Sequence, residues 1–560
     1  MNNQNLNLLV AVLLSIGIMF GWQYFVERPK LQNQVVQHQE YNKVISAVAS
    51  EQKNSQVIIS REEAIAGDKR VDFQNSYIKG SVNLVGLRID DLSFLKYKQE
   101  AAKDSANVHL LIPNKTKDAY FVEFGWHSSN KDIILPGPDT MWTPSSSSFA
   151  VGEAVTFSWI SPQDIVFKMV MSLDDKYMLN IRQEIVNNSS NTLSVQLYGL
   201  MYKTFNFEQN RMSVIHEGAT GVFQDELKEL SYKDIKDKKK VENKLGNISW
   251  LGITDKYWMV MFVPDQSFNY LSNTSFAIRN GLDRYQVDFI SPLQVVNSGD
   301  SFSVSHRLFA GAKELPVLDE YEEKLNIKLF DRTIDFGWFY IITKPLLYVL
   351  HFFYSIVENF GISIMIVTVL VKLLMFSLAN KSYKSMKVMK ELQPQIERIK
   401  TNCGDDKMRL NQEVMALYKS HKVNPLSGCL PMFIQIPVFF SLYKVLNVSI
   451  EMRHAPFFGW IKDLSVADPT NLFNLFGLLP FNPPSFLHIG IWPLLMGLTM
   501  YLQQKMSPPA SDPVQAQMMK MMPLIFLFMF GNFPAGLLIY WTWNNILSIA
   551  QQAYINKSNA

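Results

Sequence analysis

The stretch GISIMIVTVLVKLLMFSLA, residues 361–379, contains a single charged residue, Lys372. At a rise of about 1.5 Å per residue, a helix of this length approaches the roughly 30 Å thickness of a bilayer's hydrocarbon core. Lys372 lies 11 residues after Gly361, and a lysine at mid-span costs about 2.5–3.5 kcal/mol on insertion scales. The stretch therefore predicts a membrane-spanning helix whose cation faces a water-filled cavity. The alternative is a lysine whose side chain reaches the cytoplasmic interface.

Five other apolar stretches predict membrane spans, which makes six in total. They are residues 6–26, 426–446, 489–502, 521–533 and 535–550. The first reads either as an uncleaved anchor or as a cleaved signal peptide. Its leading MNNQN has no Lys or Arg, and no small-residue cleavage site follows, which favours the anchor. We therefore expect a helical membrane bundle with an N-terminal anchor, 1–26, and a five-span core, 361–560.

Between the anchor and the core, the sequence predicts a linker followed by a large β domain. Residues 27–72 are rich in Gln, Asn, Ser and Glu and predict the linker. Within 73–325, apolar residues recur at every second position, which places them on one face of a sheet. The clearest series are Ile165, Phe167, Met169, Met171 and Leu173, and Tyr177, Leu179, Ile181 and Ile185 with a polar break at Gln183. This region predicts an antiparallel β-sandwich.

Residues 326–360 join the predicted β domain to the predicted core. This segment is rich in aromatic residues but also contains Lys344, Pro345, His351 and Glu358. Charged residues on an otherwise apolar helix are typical of a helix that lies in the membrane interface. We therefore predict an interfacial amphipathic helix here rather than a span.

Charge separates the two halves of the chain. The 560 residues have a net charge of +3 and a mean hydropathy of +0.01. Residues 1–335 contain 35 Lys and Arg against 40 Asp and Glu, whereas residues 336–560 contain 18 against 10. Only 10 of the 136 residues in 425–560 are charged, far below the roughly 25% of soluble domains. The composition excludes a disordered chain, a collagen and a small disulfide scaffold.

A basic segment, 380–424, separates the first two spans of the core. It contains ten Lys and Arg against five Asp and Glu, so the positive-inside rule predicts that it is cytoplasmic. Counting spans then places both termini in the cytoplasm and the β domain outside. Apolar residues at helical spacing on either side of Gly404 predict a helical hairpin, with Pro394 kinking its first arm. The hairpin could be a generic solvated element or could dock RNA, a ribosome or anionic lipid.

Polar side chains also occur within the other predicted spans. They are Gln435, Thr542, Asn544 and Asn545, and Thr368 lies one helical turn before Lys372. Each of them alone could form hydrogen bonds between helices. Together with Lys372 they predict a polar cavity within the bundle.

The sequence lacks the motifs that carry common catalytic and nucleotide-binding chemistry. It contains no HExxH, GxSxG, Walker A or GxGxxG pattern. We therefore predict no enzymatic reaction, no metal, no cofactor and no nucleotide. The rival hypothesis is a solute channel or transporter with a periplasmic receptor domain, and a third is an envelope-binding protein.

Several short motifs along the chain are distinctive. In the C-terminal half these are LQP at 392–394, GDDK at 404–407, KVNPL at 422–426, GCLP at 428–431, QIP at 435–437, QKMSP at 504–508 and FPAGL at 533–537. In the β domain they are GLRIDD at 86–91 and FGW at 124–126. Together they resemble the motifs of the YidC family of membrane protein insertases, which has relatives in mitochondria and chloroplasts, and the resemblance covers nearly the whole chain. Its large β domain is similar to the Gram-negative form of the family.

The resemblance implies a protein of the bacterial inner membrane that inserts and helps to fold nascent membrane proteins, alone or with the Sec translocon. It implies a hydrophilic groove open to cytoplasm and lipid, with no nucleotide or metal. The implied groove residues are Lys372, where the family usually has Arg, together with Thr368, Gln435, Tyr540, Trp541, Asn544 and Asn545. Trp541 stands where well-known members have Tyr. Ribosome contact is expected at the 380–424 hairpin because the C-terminal tail lacks a long basic extension.

Overall fold

The computed structural model describes residues 58–102, 104–205, 215–404, 406–421, 424, 430–477, 479, 489–506 and 513–558. The predicted anchor, 6–26, and residues 27–57 of the predicted linker lie outside this set. The main division of the chain into two compact units falls between Thr333 and Ile334.

Among the described residues, the secondary structure of the first unit includes elements before the predicted domain boundary at residue 73. Helix α1 (Arg61–Ala66) starts with a capping box, in which the Ser60 hydroxyl accepts from the Glu63 N–H and the Glu63 carboxylate accepts from the Ser60 N–H. Strand β1 then starts at Arg70. The prediction of a linker as far as residue 72 is therefore wrong for 61–66 and 70–72, because its polar composition concealed a helix cap.

The first unit contains two sheets, one of 11 strands and one of nine. The larger sheet comprises β1 (Arg70–Gln74), β2 (Ile78–Asn83), β3 (Arg88–Lys98), β4 (Asn107–Leu111), β5 (Tyr120–His127), β7 (Ser148–Phe149), β11 (Leu193–Thr204), β14 (Lys240–Gly246), β17 (Tyr270–Arg279), β18 (Leu282–Ile290) and β19 (Gln294–Val296). The smaller comprises β6 (Thr143–Pro144), β8 (Ala154–Ile160), β9 (Ile165–Leu173), β10 (Met178–Asn187), β12 (Gly218–Phe223), β13 (Glu226–Ser231), β15 (Ile248–Thr254), β16 (Trp258–Val263) and β20 (Ser301–Ala312). Their pairings are antiparallel except for β1 with β7.

Strands β9 and β10 confirm the period-two pattern predicted from the sequence. In β9 every second residue from Ile165 to Leu173 is buried. Gln183, the polar break in β10, also lies on the buried face, and its Nε2 donates to the carbonyl of Gly125 at 2.9 Å. This hydrogen bond replaces one from the amide nitrogen to water, whereas the Gln183 Oε1 has no hydrogen-bond partner among the described residues.

Aromatic side chains from both sheets meet in the interior. The ring of Phe124 on β5 lies 5.3 Å from that of Phe262 on β16. Trp126 on β5 lies 5.2 Å from Phe167 on β9. Because each pair joins one sheet to the other, the predicted β-sandwich is confirmed.

The first unit also extends past residue 325, the predicted end of the β domain. The first unit also contains helix α2 (Tyr232–Lys238), which lies between strands β13 and β14, and helix α3 (Leu315–Leu325). A 3₁₀ helix, Phe330–Thr333, follows α3. The buried ring of Phe330 lies 6.0 Å from that of Trp250 and 5.4 Å from that of Phe309. This aromatic contact holds the 3₁₀ helix on the β-sandwich, which a boundary based on hydropathy does not reveal.

The described part of the second unit is helical. Its helices are α4 (Tyr340–Val357), α5 (Phe360–Leu374), α6 (Phe376–Glu391), α7 (Gln393–Cys403), α8 (Lys407–Ser420), α9 (Leu430–Val448), α10 (Ile491–Met506), α11 (Pro513–Met529) and α12 (Ala535–Ser558), with 3₁₀ turns at Ile450–Met452 and Leu472–Gly477. Helices α7 and α8 pack against each other across the predicted turn. Pro394 lies in the first turn of α7, so it starts a helix after a break instead of kinking one arm.

Two features of the described helices bear on the membrane. Helix α4 is long and apolar enough to cross a bilayer, and α5 with α6 passes the same test as a pair bent by 67°. The residues predicted as one span, 361–379, therefore belong to two helices that meet at Met375, where no Gly or Pro signals a break. The interfacial placement of 326–360, the number of six spans and the cytoplasmic side of the hairpin stay predictions.

A buried histidine should make the β domain sensitive to acid. His306 is 1% exposed, and burial lowers its pKa from 6.5 to about 4. As the pH falls below 6.5 the unfolded chain binds a proton that the folded domain does not, so stability is lost progressively down to about pH 4. The loss should be about 3 kcal/mol between pH 7 and pH 4. Urea unfolding of the full chain at both pH values measures it.

The control is His306→Asn, which cannot titrate but keeps an acceptor for the Asp265 N–H that Nδ1 now accepts at 3.2 Å. The variant should lose less stability than the natural chain between pH 7 and pH 4. Equal losses in the two proteins would contradict the prediction.

Candidate functional site

Lys372 lies in the last turn of α5, next to the bend into α6. The helix begins with Asn359, whose side chain accepts from the Ile362 N–H at 3.1 Å, and ends at Leu374. A cation in the last turn interacts favourably with the partial negative charge of the helix C-terminus. The bend follows at Met375, and residues on both sides of it line the space beside the Lys372 side chain.

A cavity of about 40 Å³ opens at this position. A water molecule needs about 10–15 Å³ of such volume, so the cavity has room for water. Its lining comes from three helices and combines polar groups with apolar walls: Val371, Lys372, Met375, Leu378, Ala379, Tyr383, Gln435 and Val438. The structure thus places Lys372 and Gln435 together, as the sequence predicts.

The ammonium of Lys372 is held by α12. Its Nζ donates to the Ser548 hydroxyl at 2.7 Å, and that hydroxyl donates to the carbonyl of Asn544 at 2.8 Å. Among the described residues Lys372 has no carboxylate partner, whereas Lys444 on α9 pairs with Asp335 at 2.7 Å. The charge of Lys372 is therefore not neutralised by an acidic side chain of the described chain.

Gln435 on α9 and Tyr540 on α12 form a second polar contact. The Gln435 amide donates to the Tyr540 hydroxyl. Tyr540 is 4% exposed, so a hydroxyl at this depth needs such a partner. The contact ties α9 to α12 through Gln435, which is a residue of the cavity lining.

The other predicted groove residues lie outside the cavity lining. Thr368 is buried, and its hydroxyl donates to the carbonyl of Ile364 at 2.6 Å in its own helix. The Trp541 ring packs among Phe439, Phe526 and Phe530 at 4.8–5.8 Å. Neither side chain is positioned to meet a ligand in the cavity.

Asn544 and Asn545 have different surroundings. The Asn545 amide donates to the Thr499 hydroxyl at 3.1 Å and so links α12 to α10. The Asn544 side chain is 8% exposed, and its Oδ1 has no hydrogen-bond partner in the described part of the chain. An orphaned amide oxygen beside Ser548 indicates that water belongs in this region.

Two polar residues at the site were missed by sequence reasoning. Tyr383 belongs to the lining, and Ser548 is the direct partner of Lys372. A signal for Ser548 existed, because it lies four residues after Asn544 and therefore on the same helix face. No comparable signal pointed to Tyr383, since its position depends on the bend at Met375.

Comparison with known proteins matches both units of the chain. Residues 70–349 match the family model described as YidC periplasmic domain, and residues 352–560 match that described as 60Kd inner membrane protein. Membrane protein insertases YidC from Rickettsia conorii and Rickettsia bellii are each 54% identical to this chain over its full length, and 100% of each relative is covered. The chain belongs to the YidC family of membrane protein insertases.

Membership of the YidC family confirms the resemblance inferred from the short motifs. A solved structure, an active YidC insertase with its first transmembrane domain resolved, is similar with a TM-score of 0.36 and 17% identity. That match covers 88% of this chain and 93% of the other. The two family models also confirm a periplasmic β-sandwich domain followed by a helical inner-membrane part.

Three carboxylates elsewhere in this YidC family member lie close enough together to be considered as a cation site. Ligand atoms of Asp319, Glu322 and Asp331 lie within 4.8 Å of one another. The Glu322 carboxylate accepts the backbone N–H groups of Leu329 and Asp331 at 3.3 and 3.2 Å. These hydrogen bonds hold the turn after α3, so the group has a structural role without a metal.

Proposed function

We propose that this chain inserts integral membrane proteins by receiving their polar segments in the cavity beside Lys372. The observation that carries the proposal is the Lys372 ammonium, which has no acidic partner among the described residues and is held at a cavity within apolar helices. The full-length relatives named membrane protein insertases support it. In this proposal the apolar segment of the substrate passes along the faces of α9 and α11 into lipid.

Electrostatics explains why a cation would assist the entry of a polar or acidic substrate segment into the membrane. A polar or acidic segment entering hydrocarbon loses its hydration, which costs several kcal/mol for each unsatisfied group. A fixed positive charge about 4 Å from a carboxylate returns about 4 kcal/mol at an effective dielectric constant of 20. Water in the cavity would lower the remaining cost.

Unsatisfied polar atoms support a hydrated cavity. In the described helical unit the buried atoms without a hydrogen-bond partner include Asn380 Oδ1, Thr542 Oγ1, Asn544 Oδ1 and Gln551 Nε2. Burying such atoms in a dry bundle would cost about 1–3 kcal/mol each. Water or a polar substrate would remove this cost.

The proposed topology follows from charge. Ten Lys and Arg in 380–424 favour a cytoplasmic hairpin, and six spans then place both termini in the cytoplasm and the β domain in the periplasm. The hairpin is the proposed ribosome contact, because its α7 and α8 helices carry basic residues. We further propose the Sec translocon and membrane lipids as partners, and a process without nucleotide, cofactor or bond chemistry.

Site-specific photocrosslinking tests the proposal. A photoreactive amino acid at 372, 435 or 540 should crosslink to a nascent membrane protein during insertion, because these positions border or adjoin the cavity. The same probe at 250, buried in the β domain, is the control and should give no crosslink. Absence of crosslinks from all three cavity positions in a correctly folded protein would overturn the proposal.

The rival transporter hypothesis predicts a different result. Liposomes containing the purified chain should then show substrate-dependent solute flux. On the insertase proposal they should insert an added membrane protein without such flux.

A further inference from the structure

Three helices meet around one hydroxyl, that of Ser548. The group lies on α12 and is 2% exposed. It accepts from Lys372 of α5 at 2.7 Å, and the α6 residues Ala379 and Tyr383 line the same cavity as Lys372. Ala379 and Tyr383 also pack with Ile555 of α12 in one buried cluster. Ser548 therefore lies where the bent α5–α6 pair contacts the last helix.

The hydrogen-bonding capacity of this hydroxyl is well matched to its neighbours. A serine hydroxyl has one donor and two acceptor positions. The donor is used by the carbonyl of Asn544 at 2.8 Å. The Lys372 ammonium occupies one of the two acceptor positions.

We propose that Ser548 is a positioning residue that fixes the ammonium of Lys372 at the cavity. The inference rests on the proposed function, since it assigns Ser548 a role in receiving acidic segments. An ammonium has three donors. With one bound to Ser548, the other two stay available to water or to a carboxylate that enters the cavity.

A lysine needs such a tether more than an arginine would. Its charge is a compact ammonium on a flexible four-carbon stem, whereas a guanidinium offers five donors in a rigid planar fork. Without the Ser548 hydroxyl the ammonium would sample several positions in the cavity. A displaced charge loses much of its effect, because small errors in placement weaken electrostatic assistance strongly.

The experiment measures insertion into proteoliposomes that contain the full chain. Two single-span substrates are compared, identical except that the translocated segment carries Asp in one and Asn in the other. Protease protection of that segment gives the rate. The variants are Ser548→Ala, Ser548→Thr, Lys372→Ala and Lys372→Arg/Ser548→Ala. The matched control is Ser441→Ala, which removes another fully buried serine of the same helical unit.

Ser548→Ala should slow the Asp substrate about tenfold and the Asn substrate less than about twofold. Ser548→Thr keeps the hydroxyl and should restore the rate. The double variant Lys372→Arg/Ser548→Ala should regain most of the rate with the Asp substrate, because the planar guanidinium of an arginine does not depend on a single acceptor for its position. Ser441→Ala should not distinguish the two substrates.

The proposal is overturned if Ser548→Ala behaves like Ser441→Ala while Lys372→Ala still discriminates between the substrates. It is also overturned if Ser548→Ala slows both substrates equally, or if Ser548→Thr fails as Ser548→Ala does. If Lys372→Ala distinguishes the two substrates no better than the control does, the proposed role of the Lys372 ammonium is contradicted as well. The two failures are thus distinguishable.

Discussion

Replacing Lys372 with glutamate should slow insertion of a substrate with an acidic translocated segment by about 100-fold or more. At about 6 Å and an effective dielectric constant of 20, a unit charge pair interacts with about 3 kcal/mol. Charge reversal turns this attraction into a repulsion of similar size, and each 1.4 kcal/mol is a factor of ten in rate. Even after screening by water in the cavity, a large effect should persist.

The change in insertion rate should depend on the charge at position 372 and on the charge of the substrate's translocated segment. Lys372→Arg should retain insertion of the acidic substrate, and Lys372→Ala should fall between Arg and Glu. A neutral substrate should respond much less to any of these changes. The rates are measured by protease protection after insertion into proteoliposomes.

The matched control is Lys505→Glu, which makes the same change of net charge at an exposed lysine near the end of α10. It should leave both substrates nearly unaffected, because its charge is solvated and distant charges are screened. Equal rates for Lys372→Glu and Lys505→Glu on the acidic substrate would contradict the assigned role of the cation.

Local periodicity was enough to predict the β-sandwich and the positions of most helices. The pattern in β9 and β10 works because each side chain's face follows directly from its place in the strand. The boundaries at Arg61 and Phe330 were missed for the opposite reason. A capping box in a polar segment and an aromatic contact with Trp250 both depend on particular partners and leave little trace in average composition.

The candidate site shows a similar limit. Sequence identified Lys372 and Gln435, because a polar residue within an apolar stretch is conspicuous. It could not separate Asn545, which bonds Thr499 between helices, from residues that border the cavity. The bend at Met375 decides which face of α6 meets α12, and it has no proline or glycine to announce it. Tyr383 could therefore be identified as a cavity residue only from the fold.

The second large effect is expected in the β domain, where Arg70→Met should destabilise the fold by about 3–5 kcal/mol. The Arg70 guanidinium pairs with the Asp90 carboxylate, and their side chains are 6% and 3% exposed. Its Nε also donates to the Ser81 hydroxyl at 2.8 Å. Removing Arg70 leaves a buried carboxylate without its counter-charge. The change in the free energy of unfolding is measured by urea unfolding of the full chain, with proteolysis of the β domain as the readout.

Two comparisons isolate the buried charge as the cause. Lys328→Met removes an ion pair with Asp225 whose side chains are 56% and 62% exposed, so it should cost at most about 1 kcal/mol. Arg70→Met/Asp90→Asn removes both charges and should recover most of the loss. A cost for Arg70→Met no larger than that for Lys328→Met would contradict the prediction.

The pH dependence gives an independent check on the same pair. Burial raises the pKa of the Asp90 carboxyl, and Arg70 opposes that rise. In Arg70→Met the larger part of this opposition is removed and only Arg88 still opposes the rise, so the pKa in the folded domain should lie still further above its value in the unfolded chain. The folded variant then binds a proton that the unfolded chain does not, and its deficit relative to the natural chain should shrink as the pH falls toward 4. A deficit that stayed constant would show that lost packing, not the unpaired carboxylate, causes the instability.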